Sequence, residues 1–248
     1  MLAAFGTTVP SARHVYAQFE ALVCQRFPSH SVRWIFTSKA VRKRLAEEGV
    51  AVLDPAETLA KIANEGYSSV VVQSLHITPG EEFERLASMS HEGLTVRFGK
   101  PLLHDVAAID RLFHSIQHDV EDASPTVLVA HGNGRPEFDD WYAELILRAK
   151  AILPSAVLAS LEGFPGPAPL AEIQSSVADR GNVHFIPLLF VAGDHVLNDI
   201  MGESSESWKN RLGAAHVTCA PPLGERGEVL DMFLENLLHA SAESNQGS

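Results

Sequence analysis

Short apolar or β-branched runs alternate with longer amphipathic segments along almost the whole chain, and this alternation limits the fold more than any other feature. The short runs predict strands, and the amphipathic segments predict helices. Strands connected by helices pair in parallel, so the pattern predicts an α/β fold in which parallel sheets are flanked by helices. The predicted strands are residues 2–5, 32–36, 69–75, 94–98, 126–130, 156–161, 183–189 and 216–219. The predicted helices are residues 10–27, 39–48, 55–65, 81–90, 105–119, 136–151, 168–179, 204–213 and 226–240.

A short internal repeat appears at the ends of these strands. A glycine turn follows the first strand and again the fifth, and a Gly-acid-X turn comes later in each half of the chain. Superposing the halves pairs Phe5 with His131 and Glu82 with His195. Because the two kinds of turn come in the same order in each half, the repeat favours two structurally similar halves.

The repeat divides the chain into two similar α/β lobes, residues 1–122 and 123–248, which join near residues 123–125. In open α/β sheets, ligands bind beyond the carboxyl ends of the strands. We therefore expect the two lobes to face each other across a cleft, with the strand ends of both lobes at its surface.

The composition argues against several classes of function. A net charge of −12 is unfavourable for binding nucleic acid. No apolar run is long enough to span a bilayer, and residues 1–6 do not have the pattern of a signal peptide, so we expect no membrane partner and a cytoplasmic location. Cys24 and Cys219 are predicted to be buried free thiols. The sequence is compatible with a homo-oligomer.

The glycine-rich turn at residues 132–135 differs from the known nucleotide-binding loops. It reads Gly-Asn-Gly-Arg, without the Gly-Lys-Ser/Thr of a Walker loop or the third glycine of a dinucleotide-binding fingerprint. The Gly-x-Ser-x-Gly elbow of α/β hydrolases is also missing from the sequence. We therefore expect no nucleotide cofactor and no ATP-driven step.

Two histidines follow predicted strands at the positions where α/β proteins bind ligands. His131 ends the apolar run 127–130, and His195 follows the strand at 183–189. Imidazole binds Co²⁺, Fe²⁺, Ni²⁺ and Zn²⁺, and Glu82 could complete a set of ligands that leaves open positions on the ion. Each histidine could instead cap its loop, and Glu82 could instead stabilise the dipole of its helix. Two histidines just past predicted strands are less likely to be coincidental than either one alone, which favours a metal site.

Other polar groups lie at or near the same strand ends, where a ligand would contact them. Gly132 has no side chain and would let a flat ligand approach the backbone closely. Guanidinium groups pair well with carboxylates, so arginines near the strand ends are candidates for binding an acidic ligand. The predicted substrate-binding residues are Thr7, Arg13, His76, Gly132, Arg135 and Glu162, with Lys39 and Arg42 as further basic candidates.

Several stretches of the chain resemble one known family. Gln-Ser-Leu-His at residues 73–76 is followed by Gly-Glu-Glu-Phe-Glu at 80–84, and Glu-Gly-Phe-Pro occupies 162–165. The longest match, residues 187–201, contains Val-Ala-Gly-Asp-His and Asn-Asp. In these motifs the chain resembles the class II chelatases of cobalamin biosynthesis, specifically the anaerobic sirohydrochlorin cobaltochelatases of the CbiK type.

The resemblance implies a two-lobed chelatase that inserts Co²⁺ into sirohydrochlorin, a tetrapyrrole, without a nucleotide. Similar enzymes use Fe²⁺ to make sirohaem, so either metal is implied. The resemblance also implies that His131, His195 and Glu82 bind the metal, and that the two histidines are catalytic. Two other functions stay open on the same fold: a carrier that binds tetrapyrrole or metal without turnover, and a metal-dependent hydrolase, which would need a second cluster of Asp and His.

Overall fold

The computed structural model describes residues 1–50, 52–120 and 124–242, and within these ranges strands and helices alternate as predicted. The strands are β1 (Leu2–Ala4), β2 (Trp34–Phe36), β3 (Ser69–Ser74), β4 (Thr95–Gly99), β5 (Thr126–Asn133), β6 (Ala156–Gly163), β7 (Asn182–Leu188) and β8 (His216–Cys219). The helices are α1 (His14–Arg26), α2 (Lys39–Glu47), α3 (Pro55–Asn64), α4 (Glu81–Ala87), α5 (Val106–Ser115), α6 (Asp139–Ile152), α7 (Leu170–Arg180), α8 (Trp208–Leu212) and α9 (Gly227–Ala242).

The strands form two four-stranded sheets in which every neighbouring pair is parallel. The strand order is β2-β1-β3-β4 in the first sheet and β6-β5-β7-β8 in the second. Both orders have the same pattern, with β5 in the place of β1 and β7 in the place of β3. The predicted fold class, parallel sheets flanked by helices, is confirmed, and the strand order repeats between the halves as the turn motifs suggested.

Side chains at the ends of several helices explain why they begin where they do. The hydroxyl of Ser38 accepts a hydrogen bond from a backbone N–H in the first turn of α2. Asp54 and Glu57 form a capping box at the start of α3, and Asp105 caps α5. Such caps satisfy backbone N–H groups that have no partner within the helix, so these helix starts are encoded locally.

The chain divides into two compact units, each built around one sheet. The first unit contains Met1–His104 and the chain from Gly227 onward, and the second contains Asp105–Arg226. The predicted division between residues 122 and 123 lies outside the described residues. The unit boundaries nevertheless differ from the predicted lobes, because α5 belongs to the second unit and α9 to the first.

The packing of α5 and α9 explains this division. Helix α5 packs against α6, and Arg148 of α6 forms a two-pronged ion pair with Asp110 of α5, with 2.6 Å from Nε to Oδ1. Helix α9 packs against β3 and β4 of the first sheet. The amide of Asn236 in α9 donates hydrogen bonds of 3.2 Å to the backbone carbonyls of Lys100 and Pro101. Helix α9 therefore belongs to the unit whose sheet it covers, and α5 to the unit of the helix against which it packs.

The central strand of the second sheet is buried on both faces. Val127, Leu128 and Val129 of β5 are each fully buried, as their continuous apolar run predicts. The first sheet has its own core, in which Ala3 and Ile35 pack with residues of β3 and α4. Two separate cores of this kind hold the carboxyl ends of the strands in fixed positions within each unit.

The sequence also predicted the state of the two cysteines and the lack of a membrane-spanning helix. Cys24 and Cys219 are both free, as predicted. Cys24 is exposed on α1, however, so the prediction that it is buried is wrong: it lies on the solvent face of an amphipathic helix. In the described part of the chain, none of the helices has the length and apolar character needed to cross a membrane.

Candidate functional site

Strand β5 continues three residues past its predicted end, and this extension positions His131. Pairing between β5 and β7 stops at Ala130 and Leu188, whereas pairing between β5 and β6 continues to Asn133 and Gly163. His131 therefore lies within a strand and not in a loop beyond it. Beyond Ala130 the other edge of β5 is no longer paired with β7, because β7 ends at Leu188.

That chain then forms a π-helix, His195–Ile200, which was not predicted from the sequence. The ring centres of His131 and His195 are 4.8 Å apart, and the ring planes are at 83°. Two imidazoles that share one ion, each through a nitrogen at about 2.1 Å, have ring centres about 5 Å apart. The second unit thus brings together the two histidines selected from the sequence, at a spacing that suits a shared ion.

The surroundings of His131 favour a neutral imidazole. Burial lowers the pKa of His131, and the charge of the neighbouring His195 lowers it further. The carbonyl of Gly132 and the carboxylates of Glu162 and Asp199 act in the opposite direction and raise it, but the net pKa stays below its ordinary value. Since only the neutral imidazole has a lone pair to bind a metal ion, His131 is kept ready to act as a ligand.

His195 is held by a carboxylate on its own helical turn. Its Nδ1 lies 2.6 Å from Oδ2 of Asp199, four residues along the π-helix. An ionised carboxylate can only accept a hydrogen bond, so the proton of the neutral ring belongs on Nδ1 and the lone pair on Nε2. Metal-binding histidines commonly carry such a carboxylate partner on the nitrogen that does not face the ion.

Gly132 has a structural role in addition to the predicted one. Its φ of +87° lies in the left-handed region, and a Cβ atom there would overlap the backbone carbonyl of Glu162 on β6. At Gly132 the backbone of the neighbouring strand β6 approaches closely, which requires a residue without a side chain. Without this glycine, β5 and β6 could not remain paired alongside His131.

Glu82, the predicted carboxylate ligand, lies in the first turn of α4 in the first unit. One of its oxygens, Oε2, is 2.6 Å from a guanidinium nitrogen of Arg85, which also donates to the carbonyl of Thr37. Across residues 1–50, 52–120 and 124–242, no group of three or more His, Cys, Asp or Glu side chains is arranged to hold a metal ion. The three-ligand set with Glu82 therefore stays a prediction.

Two of the predicted substrate-binding residues of the first unit make hydrogen bonds at the strand ends. The ring nitrogens of His76 lie 2.8 Å from the hydroxyl of Ser74 and 3.3 Å from that of Thr37. The hydroxyl of Thr7 is buried and accepts a hydrogen bond of 3.1 Å from the backbone N–H of Val9. Thr7 therefore shapes its own turn, and His76 is fixed in orientation at the carboxyl end of β3.

The predicted basic residues differ in the number of hydrogen bonds and ion pairs that they form within the protein. Arg13 donates to the carbonyl of Thr8 and pairs with Glu48, and Arg135 pairs with Glu137. Both ion pairs are partly exposed, so they cost little to exchange for a substrate carboxylate. The two further basic candidates differ. Arg42 donates hydrogen bonds to two backbone carbonyls and forms an ion pair with Asp54, whereas the side chain of Lys39 is exposed.

The chain was compared with protein families and with known proteins. The family model described as "Cobalt chelatase (CbiK)" matches residues 1–242. The chain belongs to the CbiK family. One CbiK relative, the sirohydrochlorin cobaltochelatase CbiKC of Nitratidesulfovibrio vulgaris, is 31% identical over 255 residues, covering 97% of this chain and 89% of the relative. The sirohydrochlorin cobaltochelatase of Salmonella typhimurium is 28% identical over 258 residues, covering 97% of this chain and 95% of the relative.

Solved chelatase structures share the fold of this CbiK protein. SirB from Bacillus subtilis, solved with Fe³⁺, has a TM-score of 0.62 at 17% identity and covers 99% of this chain and 96% of its own. CbiX, described as the terminal enzyme of siroheme biosynthesis in denitrifying bacteria, has a TM-score of 0.58 at 19% identity, covering 96% of this chain and 97% of its own. At these identities the likeness concerns the fold alone.

Three features on the segments that follow β6 and β7 of this CbiK protein were not predicted from its sequence. Asp199 could have been found from its spacing of four residues after His195, since side chains so spaced are neighbours on a helix. Phe164, which follows β6, and Leu197, on the same π-helix as His195, are large apolar side chains that are 41% and 48% exposed. Their exposure depends on the fold and left no signal in the sequence.

Proposed function

We propose that this protein inserts Co²⁺ into sirohydrochlorin without a nucleotide, with Fe²⁺ as the alternative metal. The observation that carries the proposal is the pair of imidazoles, His131 and His195, with ring centres 4.8 Å apart at the carboxyl end of the second sheet. Membership of the CbiK family and two relatives named as sirohydrochlorin cobaltochelatases support the choice of substrate and metal.

The histidine pair would bind the incoming ion before its transfer to the ring. Two imidazole ligands leave most coordination positions of the ion open, which suits an ion that must move on to the product. His131, with its lowered pKa, is available as a neutral ligand at neutral pH. Glu82 stays the predicted third ligand, and Arg85 pairs with one of its two carboxylate oxygens.

Insertion exchanges two pyrrole N–H protons for one divalent ion, so two protons must leave the ring. A nitrogen of His131 that binds the ion cannot accept a proton at the same time. When the ion passes to the ring nitrogens, that nitrogen becomes free to accept one proton, and the second is released to water. The Glu162 carboxylate, which raises the pKa of His131, would stabilise the resulting imidazolium.

The flat, acidic substrate requires both apolar surface and cations. Phe164 and Leu197 offer exposed apolar surface on the segments that follow β6 and contain His195. Arg13 and Arg135 would exchange their partners Glu48 and Glu137 for substrate carboxylates. The predicted substrate-binding residues are still Thr7, Arg13, His76, Gly132, Arg135 and Glu162.

The test is anaerobic incubation with sirohydrochlorin and excess Co²⁺, followed by the absorbance of the free ring. A chelatase turns over many equivalents of ring per protein, whereas a carrier stops at one equivalent. Parallel reactions with Fe²⁺ rank the metals by kcat/KM. Failure of both metals to exceed the uncatalysed rate would reject the proposal. A cytoplasmic location, a homo-oligomer, and the lack of nucleic-acid and membrane partners stay predictions.

A further inference from the structure

The segment that carries His195 contains two hydrogen-bonded side-chain pairs of the same spacing. Nδ1 of His195 contacts Oδ2 of Asp199 at 2.6 Å, and Nδ2 of Asn198 donates to Oδ1 of Asp194 at 2.7 Å. Both pairs join residues four positions apart and both are exposed. Only one of them, however, includes a ring that faces His131.

We propose that Asp199 is a positioning residue that sets the tautomer and orientation of His195, so that Nε2 is the nitrogen offered to the metal ion. The inference rests on the proposed function, because it concerns the metal-binding role of His195. Asp199 acts through His195 and does not itself contact the ion.

Hydrogen-bonding chemistry decides the tautomer. A neutral imidazole has one N–H, and either ring nitrogen can carry it. The carboxylate of Asp199 accepts only, so it stabilises the tautomer with the proton on Nδ1 and disfavours the one with the proton on Nε2. The same bond restricts rotation of the ring about its side-chain torsions, because Asp199 is held on the same helical turn.

The position of Asp199 argues that it serves the site and not only the helix. Asp199 is hydrogen-bonded to His195, whose ring centre lies 4.8 Å from that of His131, so Asp199 belongs to the same group of side chains as both histidines. The pair of Asp194 and Asn198 provides the same kind of helical link without an imidazole. If these pairs served only to stabilise the helix, losing either of them should affect Co²⁺ binding equally.

The test uses Asp199→Ala and Asp199→Asn, with Asn198→Ala as the matched control. Co²⁺ alone is titrated into each full-length protein and followed by its visible d–d absorbance. Loss of a carboxylate partner of a metal-binding histidine typically weakens metal affinity about 10–100-fold, and we expect this loss in Asp199→Ala. Asp199→Asn keeps a neutral acceptor and should lose less, and Asn198→Ala should bind Co²⁺ within about twofold of wild type.

A second readout distinguishes positioning from fold stability and from direct ligation. Long-range ¹H–¹⁵N spectra of the metal-free protein report which nitrogen of His195 carries the proton. We expect Nδ1–H in the wild type and in Asn198→Ala, and a mixture of tautomers in Asp199→Ala. Circular dichroism verifies that each variant is folded.

Two results would overturn the inference. One is Asp199→Ala binding Co²⁺ as tightly as wild type does. The other is weaker binding with an unchanged His195 tautomer and a changed Co²⁺ spectrum, which would make Asp199 a direct ligand. If wild-type protein shows no turnover with sirohydrochlorin but Asp199→Ala still shifts both readouts, the proposed function fails and the inference stands. If Asp199→Ala turns over normally and neither readout moves, the inference fails and the proposed function stands.

Discussion

The two units have sheets of the same strand order but different chemistry at equivalent strand ends. After β1 the first unit has Phe5, and at the equivalent place on β5 the second has His131. After β3 the first unit has Glu82, paired with an arginine, where the second has His195, paired with a carboxylate. One scaffold thus occurs twice, and the paired imidazoles are found in the second unit only, among the described residues. We infer that the second unit holds the ion.

The largest expected effect comes from replacing the two histidines, which tests whether the second unit binds the metal. His131→Ala and His195→Ala should each lower kcat/KM with Co²⁺ and sirohydrochlorin by more than about 100-fold, since losing a direct ligand should cost more than losing the carboxylate that orients one. His216→Ala, on exposed strand β8 of the same unit, is the control and should retain wild-type activity. Near-wild-type turnover in both histidine variants would contradict the assignment of metal binding to the second unit.

The equivalent glycines, Gly6 after β1 and Gly132 within β5, give the next largest effect, on stability. A Cβ at Gly132 would overlap the backbone carbonyl of Glu162, which cannot move without breaking strand pairing, so Gly132→Ala should cost about 3 kcal/mol. A Cβ at Gly6 would lie 2.8 Å from a ring carbon of Phe36, a side chain with more freedom to shift, and Gly6→Ala should cost about 1–2 kcal/mol. Urea unfolding measures the free energy of unfolding of both variants. Equal losses of stability would contradict the expected difference between Gly132 and Gly6.

A smaller effect tests the contribution of the first unit to the metal site. Glu82→Gln should lower kcat/KM about tenfold if its carboxylate assists an ion that two imidazoles already bind. Glu84→Gln, on the same short helix, is the matched control because it removes the same charge from α4. An equal decrease in both variants would show that the charge of the helix matters and that Glu82 is not a ligand.

The smallest expected effect is a difference in pH dependence. The pKa of His131 is lowered in the folded protein, so the unfolded chain binds the proton more readily. Stability should therefore fall as the pH drops below about 6.5, and this contribution should vanish above it. His131→Gln should flatten the dependence of the unfolding free energy on pH, whereas Phe5→Leu, at the equivalent place, should leave it unchanged. If the unfolding free energy of His131→Gln fell more steeply with decreasing pH than that of wild type, the pKa of His131 would not be lowered in the folded protein.

Much of the fold could be predicted from sequence because its signals are local. Apolar runs such as 126–130 are short-range features and marked strands correctly, and the caps that the structure shows at Asp54 and Asp105 are equally local. The histidines were found because strand ends bind ligands in α/β folds. The repeat of turn motifs also anticipated the repeated strand order.

The rest depends on contacts between distant parts of the chain. The extension of β5 past residue 130 depends on pairing with β6, and the placement of α9 depends on the sheet that it covers. The π-helix differs from an α-helix in its backbone hydrogen bonds, which residue periodicity does not reveal. Because no helix was predicted at residues 195–200, the four-residue spacing of His195 and Asp199 was not interpreted as a contact between them.

The assignment of α9 to the first unit has a consequence for biosynthesis. The second unit is one uninterrupted segment, Asp105–Arg226, whereas the first awaits its final helix. A ribosome would therefore deliver every residue of the second unit before the first unit had its last structural element. The segment bearing both imidazoles can complete its core during translation, while β3 and β4 keep an uncovered apolar face until α9 emerges.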